Sequence, residues 1–129
     1  MGSDRLAHLP RVRLAGGLTV VQAATPRTRL LGLALLDELP SRQALLLPGC
    51  SSVHTFGMRF AIDIAFLDRV GGVLRLVCAV PPRRMAWCSG ARAVLEARAG
   101  EAGPFLTDEL AQAVSPASPP AAEAGSSAR

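Results

Sequence analysis

Lysine, asparagine and tyrosine are missing from this chain, and isoleucine occurs only at Ile62 and Ile64. All fourteen basic residues are therefore arginines. The missing residues are those of AT-rich codons, so the Arg-Ala-Gly-Pro bias points to a GC-rich genome and requires no ligand. A net charge of +4 on singly scattered arginines argues against nucleic acid, which calls for a clustered basic face with aromatics for stacking. Aromatic residues are scarce at 4%, with a lone Trp at position 87. No apolar run approaches the roughly 18 residues of a membrane helix, so no membrane span is expected. Cys50, Cys78 and Cys88 are odd in number and form no CxxC pair, which fits a reducing compartment and small buried hydrophobes better than a disulfide framework. Arg11-Val12-Arg13 followed by LAGGLTVVQAA imitates an export signal, yet two glycines and a threonine break it. A β-hairpin accounts for the same residues, so a cytoplasmic location is expected, with export as the alternative.

Half of the 129 residues are hydrophobic, enough for one domain with a single modest core. The expected division is a flexible leader over 1–9, a single β-rich domain over 10–111, and a disordered Ala/Ser/Pro tail over 112–129. Residues 12–14 and 18–23 read as strands about a Gly16-Gly17 turn. Thr25-Pro26 is a hydroxyl cap followed by Pro at the first helical position, and it opens a short helix over about 26–36. Ala44 to Leu47 is a short buried strand, and 73–80 and 91–98 are further strands separated by a loop over 83–90. No internal repeat is present.

The densest information lies in Pro48 to Asp68, PGCSSVHTFGMRFAIDIAFLD. Gly57 divides it into extended pieces over 52–56 and 58–68. In the second piece Phe60, Ile62, Ile64 and Phe66 share one face, and Ala61, Asp63, Ala65 and Leu67 share the other. Both faces are apolar, so this strand is expected to be covered on both sides. Asp63 is then a buried carboxylate that must be hydrogen-bonded, paired or protonated. Arg69-Val70-Gly71-Gly72 should turn the strand into a hairpin with 73–80. A four-residue loop sets Asp63 opposite Cys78, and a three-residue loop sets it opposite Ala79.

CSSVHTFGMRFAIDIAFLD, a Gly turn, a strand ending in VPP, AVLEARAG, and an upstream Arg29-Leu30-Leu31-Gly32-Leu33 together resemble the ACR family of small bacterial and archaeal proteins, a domain of unknown function numbered 192. The resemblance spans roughly residues 18–101. It implies a compact, mostly β domain and no particular activity. Relatives usually add a second Gly-Asp pair and a final strand after the Ala-Gly, whereas Gly103 to Asp108 is only a distant echo of that closure.

The fold expected is mainly β, a small sandwich or partly closed barrel with one short α-helix. No motif spells out a reaction or calls for a cofactor. Arg29, His54, Arg59, Asp63 and Glu96 are polar or charged groups inside otherwise apolar segments, and their convergence would form the default binding cleft. His54 with Asp63 or Glu96 could instead support hydrolase-like acid–base chemistry. Cys50 and His54 have a Cys-x-x-x-His spacing, but the remaining ligands of a zinc site are missing, so no metal is expected. Arg83-Arg84 with Trp87 is a third group, able to grip an anion or simply to form a solvated loop. The leading reading is a binding or accessory module for a small polar or anionic ligand or a protein partner. The alternatives are the hydrolase and a pure protein-interaction domain that pairs through an exposed strand edge.

Overall fold

The computed structural model describes residues 10–22, 41–55 and 58–114 of the chain. Eight strands occur among them: β1 Arg11–Leu14, β2 Leu18–Gln22, β3 Gln43–Pro48, β4 Ser52–His54, β5 Ile62–Leu67, β6 Val73–Val80, β7 Met85–Trp87 and β8 Ala93–Arg98. Six of these form one sheet in the order β1-β2-β3-β8-β5-β6, and β4 and β7 form a second, two-stranded sheet. Neither sheet closes into a barrel, and the mainly β class matches the expectation. The helix expected over 26–36 and residue Arg29 lie outside the described residues.

The two-residue side-chain period of β5 decides the layering. All six of its residues are buried, because β8 and β6 flank it and both faces are covered. On one face Ile62, Ile64 and Phe66 join Leu45, Leu47, Val94 and Val21. The small sheet covers this face through Ala86 and Val53. On the other face Ala65 and Leu67 join Leu46, Leu95, Val20 and Phe105.

Helix α1, Asp108–Val114, places Leu110 in that second core, following a 3-10 turn over Gly103–Phe105. The end of the domain is thus closed by a turn and a helix rather than by a strand. The helix also runs through 112–114, three residues beyond where the disordered tail was expected to start, because Leu110 and Val114 sit four apart on one helical face against the core.

Two strand limits differ from the sequence reading. β5 starts at Ile62 rather than at 58, because the Met58 N–H donates to the Thr55 carbonyl and closes a turn there. The segment 83–90, read as a loop, contains β7, which pairs with β4. A strand of three residues is too short to show a period.

Candidate functional site

Asp63 is 2% exposed, as the sequence required, but its partners are backbone groups. The Ala79 N–H donates to Oδ1 at 2.9 Å, and the Gly100 and Ala102 N–H groups donate to Oδ2 at 2.9 and 3.2 Å. The hairpin register explains the first contact. Ile62 pairs with Val80 and Ile64 with Val77, so Cys78 and Ala79 together oppose Asp63 in a β-bulge. The register expected of a three-residue loop thus holds at Ile62 and that of a four-residue loop over 64–66, but a second shift pairs Leu67 with Val73, so neither loop length is the one observed. Ala79 takes a φ of +53°, which turns its N–H onto the carboxylate. Asp63 therefore ties the bulge of β6 to the turn after β8.

Glu96 lies on β8, flanked by Leu45 of β3 and Ile64 of β5, and is 5% exposed. Burial pushes its carboxyl up to about 8, which keeps it protonated near neutrality. Asp63 pairs with Ala97, the next residue of β8, so strand alternation sends Asp63 and Glu96 to opposite faces of the sheet. That separation disfavours acid–base work between the two carboxylates.

His54 stands on the two-stranded sheet opposite Met85 and is exposed. Arg59 is exposed in the bend before β5. Asp63 and Glu96 face apart and Arg29 lies outside the described residues, so the expected five-residue cleft is not tested as a whole. No group of three His, Cys, Asp or Glu residues capable of holding a metal occurs among the described residues. The buried polar residue next to His54 is Thr55, whose hydroxyl donates to the Pro81 carbonyl at 2.8 Å and accepts from the Arg84 N–H at 2.8 Å. It pins the loop ahead of β7 and carries no sign of chemistry.

The outstanding surface lies elsewhere. Among the described residues the exposed large hydrophobic side chains are Val70, Val73, Leu74, Leu76, Met85 and Trp87, all within an 18-residue span. Val70 lies in the turn before β6, and the others decorate β6, the terminal strand of the large sheet, and the adjoining β7. Between these strands runs a groove of 380 Å³ lined by Arg75, Val77, Cys78, Arg84, Met85 and Trp87, among others. The Arg75 guanidinium donates to the Trp87 carbonyl at 3.0 Å and holds β7 against the edge strand. Sequence reasoning singled out Arg83, Arg84 and Trp87 but missed the aliphatic part, because strand order alone shows that β6 is an edge.

An open six-stranded sheet with a small second sheet on one face, and an apolar edge strand among the described residues, defines a small mainly β domain. The chain belongs to the uncharacterised ACR family, domain of unknown function 192, whose model matches residues 12–107. Two solved structures share the fold. One is a candidate transcription regulator from Sinorhizobium meliloti, 21% identical, with a TM-score of 0.61 over 74% of this chain and 82% of that one. The other is a protein of unknown function from Novosphingobium aromaticivorans, 17% identical, with a TM-score of 0.59 over 76% of this chain and 87% of that one. Comparison with curated proteins gives no match.

Proposed function

We propose that this domain is a docking module for another polypeptide, which adds to the free edge of β6 as a further strand. The observation that carries the reading is that, among the described residues, the exposed large hydrophobics are confined to residues 70–87, on and beside an edge strand. An edge strand presents unpaired N–H and C=O groups, and proteins ordinarily blunt such edges with charge, bulges or cover. The opposite edge is blunted in this way: β1 alternates exposed Arg11 and Arg13 with half-buried Val12 and buried Leu14. β6 instead presents Val73, Leu74 and Leu76 at 47%, 46% and 41% exposure, and its one arginine is drawn back onto β7. Main-chain pairing would supply affinity, and the flanking side chains would supply selectivity.

Selection of a random dodecapeptide display library on the purified chain tests this. Enriched sequences should be β-prone, and their binding should slow amide hydrogen exchange within residues 73–77. Leu76→Lys places a charge on the edge and should abolish binding while changing stability by no more than about 0.5 kcal/mol. Peptides that protect another segment, or that bind Leu76→Lys unchanged, would refute the reading.

A further inference from the structure

The exposed apolar edge is also the basic part of the chain. From Arg69 to Leu95 there are five arginines and no aspartate or glutamate, whereas the rest of the sequence carries nine arginines against ten acidic residues. Arg75 and Arg84 line the groove beside β6, and among the described residues no carboxylate does. Arg75 commits one N–H to the Trp87 carbonyl and Arg84 one to the Arg83 carbonyl, so among the described residues each keeps most of its five donors.

Strand alternation then assigns each charge to a face. Arg75 and Val77 pair with Phe66 and Ile64, and so lie on the face that carries the groove. Leu76 and Val73 pair with Ala65 and Leu67, on the other face. A strand added beside β6 would set alternate side chains against these two surfaces, one cationic and one aliphatic.

Resting on the docking reading above, we infer that the occupant of the edge is an extended polypeptide segment of alternating acidic and aliphatic residues. Its carboxylates meet Arg75 and Arg84 on the groove side, and its aliphatic side chains cover Val73 and Leu76 on the other. Bidentate carboxylate pairing suits both guanidinium groups. The surface favours a polypeptide over a nucleic acid because its apolar members are aliphatic apart from Trp87, and base stacking needs aromatic rings.

Fluorescence anisotropy with labelled synthetic probes tests the inference: alternating Glu–Val, Gln–Val, Lys–Val and Glu–Ser decapeptides, and an oligodeoxythymidylate. The Glu–Val peptide should bind, Gln–Val at least about tenfold more weakly, and Lys–Val and Glu–Ser not measurably. Added salt should weaken the Glu–Val complex. Arg84→Glu, on an exposed loop held by its backbone, should weaken Glu–Val about tenfold or more and raise the affinity for Lys–Val. Arg75→Gln should lower Glu–Val affinity in the same direction. Equal binding of Glu–Val and Gln–Val would overturn the charge selection and leave the docking edge standing. Binding of the oligonucleotide in place of every peptide, or of no probe at all, would overturn the inference.

Discussion

Replacing Asp63 by alanine should be among the most damaging single changes available in this fold. The substitution strips the acceptor from three backbone N–H groups at once, those of Ala79, Gly100 and Ala102. Ala102 is fully buried, so its N–H has no water to turn to and should cost about 2–3 kcal/mol. Ala79 and Gly100 are exposed residues whose N–H groups recover part of the loss from solvent, about 1 kcal/mol remaining for each. The sum is about 4–5 kcal/mol, a large share of the roughly 5–15 kcal/mol that holds a domain together. Asp108 makes the control, because it is exposed in the first turn of α1 and acts on the helix dipole for about 0.5 kcal/mol. Urea unfolding followed by circular dichroism should therefore rank wild type and Asp108→Ala close together and Asp63→Ala far below. Asp63→Asn, which keeps one acceptor oxygen, should fall between them and stays measurable if the alanine variant does not fold. Stabilities of Asp63→Ala and Asp108→Ala within about 0.5 kcal/mol of each other would refute the clamp.

Glu96 gives a pH signature of definite sign. Its carboxyl rises from 4.5 to about 8 on folding, so the native state holds that proton more tightly than the unfolded chain. The stability it contributes is complete below about pH 4.5 and is lost as pH climbs toward 8, by up to about 5 kcal/mol at about 1.4 kcal/mol per pH unit. Glu96→Gln should flatten that slope in unfolding measured from pH 5 to 9, and parallel slopes for the two proteins would count against a buried protonated carboxyl. Gly71 has a φ of +86°, and an added Cβ would overlap the backbone of Ala111 in α1. Gly71→Ala should therefore cost more than about 2 kcal/mol, whereas Gly90→Ala, at +90° but facing open space, should cost only about 1 kcal/mol of backbone strain. Equal unfolding midpoints for the two would remove the hairpin–helix contact from the account. Ala79→Gly relieves a positive φ while keeping the N–H that reaches Asp63, and should raise stability by about 0.5–1 kcal/mol in urea titration. A loss of that size would show that the residue is not held in the left-handed region.

The sequence carried most of the architecture because most of it depends on period two. The alternation in 60–67 identified which side chains of β5 share a face and that both faces are covered, and the enclosure of Asp63 followed directly. What the alternation could not carry was the order of the strands. Glu96 and Asp63 are both carboxylates in apolar strands, and only the register of β5 with β8 shows that they face apart. Asp63 likewise called for an answering group, and side chains were the natural candidates. Backbone donors are invisible in a sequence, since every residue but proline has one. The edge position of β6 was hidden for the same reason: VLRLVCAV reads as a strand wherever it stands, and its exposure is a property of its neighbours.

The buried carboxylate and the proposed docking edge are joined by the β-bulge. A free strand accepts a partner only along a stretch where its outward N–H and C=O groups keep a regular spacing. On β6 that stretch is bounded at one end by the shift between Phe66 and Leu67, which leaves Leu74 unpaired, and at the other by Cys78–Ala79, so that Arg75 to Val77 share a single register with β5. Asp63 fixes the second boundary by holding the Ala79 N–H. If it let go, the bulge could migrate and the pairing on its near side would slip by one residue. Arg75 and Leu76 would then exchange faces, and the cationic and aliphatic surfaces offered to a partner would be swapped. A variant such as Asp63→Asn that still folds should therefore lose peptide selectivity more steeply than it loses stability. On the docking proposal, position 63 would thereby bear on recognition without touching the bound segment.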